Sequence, residues 1–136
     1  MTPTDIVPML LQACPSAQEA WDEHVNWWRG EPAGSYNDTG VFVDHIVESF
    51  RCGRVSEMPA FFDLVERMIV EGDDRTVPLA TIGVLETIQI VVSHERFDRS
   101  VFEPWLGIKS REHWSQIAAA WQGVGSLADM IRKERS

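Results

Sequence analysis

RTVPLATIGVLETIQIVVSH, residues 75–94, decides the fold. Between Arg75 and His94 the stretch carries one charge, Glu86, and its apolar residues fall on nearly every side of a helical wheel. A helix that is apolar all round has to be buried all round. The segment is therefore expected to be the central element of a small all-α domain. A carboxylate in the middle of such a helix needs a partner, because an unpaired buried charge is very costly. Glu86, Gln89 and Ser93 make an i, i+3, i+7 polar line, and Glu86 with Gln89 is read as a buried polar network.

Upstream, the turn EGDD (71–74) is short enough to fold the central helix back on its predecessor as an αα-hairpin. Asp74 is the expected cap, and Pro78 is tolerable near the helix start. The preceding helix opens at Ser56 with Pro59 in its first turn, where a missing N–H is harmless. It buries Phe61, Leu64, Val65, Met68 and Ile69 and stops at Gly72. A helix from about Thr39 to Cys52 turns Val43, Ile46, Val47 and Phe50 inward and ends at Gly53. Before it lies the loop GEPAGSYND, residues 30–38. An earlier helix, with Ser16 and Glu19 as a capping box, runs to about Arg29 and stops at Gly30. Trp21, Val25 and Trp28 share one of its faces, and Trp27 falls off that face. A short first helix covers Asp5 to Ala13.

Downstream, DRSVFEPWLGIKS (98–110) is a turn-rich connection with about one helical turn. Ser110 then caps a helix striped with Trp114, Ile117, Ala118 and Trp121. Gly123 closes it, and Ser126 opens a short basic helix. Residues 1–136 are thus expected to form a single helical domain of six to seven helices in antiparallel hairpins, as a bundle or a short HEAT-like stack. No period of about 40 residues repeats, which argues against a true solenoid.

A chain of 136 residues, 44% hydrophobic and with six tryptophans, can build one real core and is not disordered. No apolar run reaches the roughly 18–20 residues of a membrane span without a charge or a proline. The N-terminus lacks the basic region of a signal peptide. A soluble, cytoplasmic protein is expected, with no membrane contact. The net charge is −9, with 16 acidic and 6 basic residues in 1–97 against 5 and 6 in 98–136. So acidic a body disfavours nucleic acid and anionic lipid, which need cations to displace counterions. It favours a basic protein partner, although solubility alone also explains it. Cys14 and Cys52 lie far apart and read as buried, gap-filling thiols.

Chemistry finds little support. A lone carboxylate at Glu86, without a matched base, nucleophile or metal cluster, reads as structural. His45 and Glu48 sit one helical turn apart, but a carboxylate-bridged metal bundle needs paired motifs and further glutamates. No metal and no cofactor are expected. His24, His94 and His113 are isolated. The chain has no GxSxG elbow, no recognisable Cys-His pair and no phosphate loop, so it is not expected to be an enzyme. Trp27, next to Asn26 and near Tyr36, is the best candidate for an exposed aromatic anchor.

The segments FFDLVERMIVEGDDRTVPLATIGVLETIQ (61–89), VFEPWLGIKSREHW (101–114) and AAWQG (119–123) resemble a family of small acidic helical bacterial proteins of uncharacterised function. The shared order is a helix ending in an E-x-G-D type turn, here EGDD (71–74), a hydrophobic helix with a central Leu-Glu, then a W/Y-L-G-x-x-S-x-x-x-W element. The resemblance covers the second half of the chain, and its motifs concern packing. It implies an immunity protein, one that binds and neutralises a co-encoded secreted toxin, and it supplies no catalytic residue.

The function expected is therefore non-enzymatic protein binding, with a basic toxin domain as partner. Trp27, Glu31, Tyr36, Asp38, Asp44 and Glu48 are the expected contact set. One alternative is a helical adaptor or regulatory subunit that forms a homodimer through exposed aromatics. A second is a small enzyme or ligand-binding bundle built around Glu86.

Overall fold

Residues 76–95 form one continuous helix, as the sequence demands. A computed structural model of the chain describes residues 1–95 and 97–124. In chain order the helices are α1 (Pro3–Ala13), α2 (Gln18–Trp27), α3 (Ser35–Arg51), α4 (Met58–Glu71), α5 (Thr76–Pro78), a π-wound segment (Leu79–Glu86), α6 (Thr87–Glu95) and α7 (Ile108–Val124). Short 3₁₀ turns lie at Pro15–Ala17 and Arg99–Trp105. The described residues contain no strand. α5, the π segment and α6 run on from one another as the central helix.

The central helix packs against α3, α4 and α7 and closes an all-α bundle. By length and composition alone Thr76–Glu95 would pass for a membrane span, with mean hydropathy 1.5. The fold uses it as a core helix, and half of that apolar window is buried. Around it lie Phe42 and Ile46 from α3, Phe61, Phe62 and Met68 from α4, and Trp114 from α7, all fully buried. Beside them Phe50, Phe62, Phe97, Phe102 and Trp105 form an aromatic cluster with ring centroids 5.1–6.4 Å apart. Such offset and edge-on pairs add about 0.5–1.5 kcal/mol each beyond their buried area.

Burial all round does not hold for the whole central helix. Ile82 is 49% exposed and Glu86 half-buried, because neighbours cover the helix on three sides and leave a strip open. Glu86 therefore keeps access to water, and no hydrogen bond engages it among the described residues. Gln89 does behave as expected: it is buried, and its Nε2 donates to the Trp114 carbonyl at 3.1 Å. Its Oε1 and the Trp114 indole N–H are buried with no partner among the described residues. The expected buried pair thus reduces to Gln89.

Nothing in the sequence pattern announces the π winding of Leu79–Glu86. The Thr87 hydroxyl donates to the Ile82 carbonyl five residues back, at 2.9 Å, in keeping with that wider register. Gly83 lets α3 come close at this point. A Cβ there would lie 3.0 Å from Thr39 Oγ1 and 3.2 Å from the Tyr36 ring.

Two glutamates of the α4 region reach across to cap other helices, and this overturns two expected caps. Ser16 does not cap α2 through a box with Glu19. Its N–H donates to Glu57 Oε2 at 3.2 Å, and its hydroxyl donates to Glu57 Oε1. At the start of α7, Glu66 accepts from the Ser110 N–H (2.8 Å), the Ser110 hydroxyl (2.9 Å) and the Lys109 N–H (3.1 Å). A helix start leaves N–H groups unpaired, and a carboxylate there also opposes the positive end of the dipole. Gly107 makes room for it, since a Cβ would lie 2.5 Å from Glu66 Oε1.

Other boundaries shift by small amounts. Asp73, not Asp74, receives the N–H groups of Arg75 and Thr76. Glu57, not Ser56, stands at the start of α4. α1 begins two residues early, where the Thr2 N–H donates to Asp5 at 2.8 Å. α3 begins at Ser35, so the loop before it is shorter than expected. α7 continues through Gly123 to Val124, and the helix expected from Ser126 lies outside the described residues. Both cysteines are free: Cys14 is buried as expected, with its thiol pushed up to about 12 chiefly by burial, but Cys52 is exposed.

Candidate functional site

α2 sits at the edge of the bundle and buries none of its residues fully. It is pinned by Trp21, whose ring stacks on Phe42 with centroids 5.8 Å apart. The helix ends at Trp27, two residues before the expected Arg29. The Gly30 N–H returns to the Val25 carbonyl at 3.1 Å and the Arg29 N–H to that of Asn26 at 3.1 Å. This is a Schellman closure with Arg29 at φ 53°, an uncommon conformation for a residue with a side chain. The carbonyls at the helix end are thereby satisfied, and Trp27 is held out on a well-defined terminus. It is 84% exposed, the most exposed of the large hydrophobic side chains described.

The loop that follows folds back over α2. The Asn37 side-chain amide donates to the Ala33 carbonyl at 2.8 Å and ties the loop to the first turns of α3. Asp38, in that first turn, pairs with His24 Nε2 at 2.9 Å. Beneath the loop lies a small pocket of about 170 Å³, lined among others by Trp21, His24, Trp28, Glu31, Pro32 and Asp38. His24 stands between the two indoles, its ring centroid 5.3 Å from Trp21 and 6.3 Å from Trp28.

Of the six expected contact residues, Glu31 and Asp38 therefore meet in one pocket. Trp27 and Tyr36 are exposed, on the end of α2 and in the first turn of α3, and neither lines that pocket. Asp44 and Glu48 lie farther along α3, both exposed. Partial desolvation raises the pKa of the Asp44 carboxyl from its ordinary value. Glu48 is engaged by Arg51, which also reaches Glu95 of α6, so its charge is partly compensated. Trp21, His24 and Trp28 were not expected at a site. The same-face spacing of Trp21, Val25 and Trp28 reads as a core stripe, yet Val25 and Trp28 are exposed, because α2 lies at the edge of the bundle and buries none of its residues fully.

A second cluster joins Ser16, His45 and Glu57 beside an open groove of about 500 Å³ at the α3–α4 turn. Its hydrogen bonding argues for a latch. The one proton of the Ser16 hydroxyl goes to the Glu57 carboxylate, so His45 Nε2, 2.7 Å away, has to donate to the serine oxygen. A serine nucleophile needs a histidine that accepts its proton, and here the roles are reversed. Desolvation lowers the His45 pKa, with the Glu57 carboxylate acting against it and Arg54 with it. Among the described residues no three His, Cys, Asp or Glu side chains are grouped to hold a metal ion.

Comparison with family models matches residues 7–122 to a domain of unknown function, DUF7674. The chain belongs to this family. The DUF7674 match runs from α1 well into α7, so the α2–α3 ledge, the pocket beneath the loop and the Ser16 latch all lie within it. With the helices above, the DUF7674 chain is a member of an uncharacterised, all-helical family. No curated protein and no solved structure matches it.

Proposed function

We propose that the chain is a non-enzymatic protein-binding module of immunity type, which neutralises a co-encoded secreted bacterial toxin from the cytoplasmic side. The observation that carries this reading is Trp27, 84% exposed at the capped end of α2. A tryptophan presented on a rigid terminus costs little entropy to bury and has the character of an interface hot spot. Glu31, also exposed, and Tyr36, 49% exposed, follow it in the loop and the first turn of α3. The balance of 16 acidic to 6 basic residues over positions 1–97 supports a basic partner, since it would steer one into contact.

Self-association through the same aromatics is the second reading, favoured by the further exposure of Ile82 and Ile108. A net charge of −9 on each copy works against it, because two acidic faces repel. Light scattering separates the two, a stable dimer being the result that would support self-association.

The direct test is calorimetry of the purified chain against the C-terminal domain of a secreted protein encoded beside its gene, whose presence the reading requires. Binding is expected, and Trp27→Ala should weaken it about tenfold or more, in the range of hot-spot truncations. The thermal midpoint should not change. Absence of binding, or tight binding indifferent to Trp27→Ala, would remove this reading.

A further inference from the structure

We propose that the pocket between α2 and the start of α3 receives a cationic side chain, ammonium or guanidinium, projecting from the protein partner. The inference rests on the protein-binding reading above and adds the chemistry of the contact. Three features of the pocket converge on it. Trp21 and Trp28 line it, and indole faces attract cations through their quadrupole. Glu31 and Asp38 line it as well, while no lysine or arginine does. At about 170 Å³ it falls below the roughly 300–1,000 Å³ of pockets for whole small ligands, so it suits the end of one side chain.

The end of α2 agrees in sign. α2 ends at the pocket, and a helix C-terminus favours positive charge. The start of α3 has the opposite sign, but Asp38 stands in its first turn. His24 Nε2 donates to Asp38 Oδ1, which holds that carboxylate in place. The Asn37–Ala33 hydrogen bond orders the loop before any partner arrives. A cation entering beside Trp28, 37% exposed, would find an aromatic wall, the Asp38 carboxylate already held by His24, and Glu31 at the rim. A neutral side chain would gain the wall alone, and an anion would be repelled.

The test uses the whole chain and three probes: the N-acetyl, N-methylamide derivatives of lysine, arginine and norleucine. Backbone and indole amide spectra are recorded during titration at low and high salt. The lysine or the arginine probe, or both, should shift the Trp28 indole and the Gly30 amide, and the stronger of the two identifies the head group. The shifts should weaken several-fold at high salt, and the norleucine probe should leave both signals in place. Trp28→Leu and Glu31→Gln should each reduce cation binding at least threefold with the remaining spectrum unchanged. Should Trp28→Leu disturb the fold, Glu31→Gln alone decides, as its side chain is exposed. No shift with either cation, or equal shifts with norleucine, overturns the inference. If the cations fail while the neighbouring gene's product still binds through Trp27, the pocket chemistry falls and the protein-binding reading stands. If the cations bind and that product does not, the partner assignment falls and the cation site stands.

Discussion

At Glu66 a single carboxylate accepts three hydrogen bonds from the start of α7. Partial burial alone would raise its pKa, but the donors on Ser110 and Lys109 outweigh it and hold the group below its ordinary 4.5. A carboxylate depressed in the folded state adds stability that is present above the unfolded pKa and lost as pH falls through the folded one. The wild-type chain should therefore lose stability below pH 4.5, and Glu66→Gln should flatten part of that loss in urea midpoints taken from pH 7 to 3. Asp5, Asp73 and Asp98, lowered by hydrogen bonds from Thr2, Thr76 and Ser100, keep a residual slope in both proteins. Glu66→Ala should cost about 1–2 kcal/mol at neutral pH, the scale of a lost helix cap. Gly107→Ala, whose Cβ would meet Glu66, should be destabilising in the wild type and much less so beside Glu66→Ala, a coupling that a double-mutant cycle would read. Glu86→Gln, by contrast, should move stability by no more than about 0.5 kcal/mol in the same urea titration, because the half-buried side chain reaches water and no hydrogen bond among the described residues engages it.

The elements were largely legible because their signals are local. Helical spacing of Phe61, Leu64, Val65 and Met68, with Pro59 at the start and Gly72 at the end, is enough to place α4. The α4–α5 hairpin follows from its short turn. What eluded the sequence lies where one element supplies the chemistry of another. Ser16 followed by Glu19 has the pattern of a capping box, yet the glutamate that engages Ser16 is Glu57, 41 residues away. The α2–α3 ledge was partly legible: Trp27 was singled out because it left the helical stripe, whereas His24 looked isolated until the loop brought Asp38 to it. The π winding around Gly83, where α3 passes close, was silent in the pattern. Gly83→Val should cost about 1–3 kcal/mol by overpacking, read as a lowered urea midpoint. The added methyls press on Thr39 and Tyr36, so the Tyr36 ring signals should shift in the same variant.

For the molecule as a whole, the excess of acid over positions 1–97 matters through its long-range field. If a basic partner is steered by it, association should slow several-fold as ionic strength rises from about 0.05 to 0.5 M, because screening shortens the reach of the charges. Asp44→Lys should slow association more than it speeds dissociation, as measured by surface-based kinetics. Glu48→Lys should have a smaller effect, since Arg51 already compensates that charge. An association rate indifferent to salt and to Asp44→Lys would remove electrostatic steering while leaving the Trp27 contact to be judged separately.

The sequence by itself determined an all-helical fold, the order of its main helices and many of the residues of its core. Those depend on periodicity, caps and glycine or proline punctuation, all of which act over a few neighbouring positions. Only the tertiary structure decided that Glu86 faces water while Gln89 does not, that Glu57 and Glu66 cap distant helices, and that Trp21, Trp28, Glu31 and Asp38 line one pocket. Exposure and through-space pairing depend on which surfaces the other helices cover, and no local pattern encodes that.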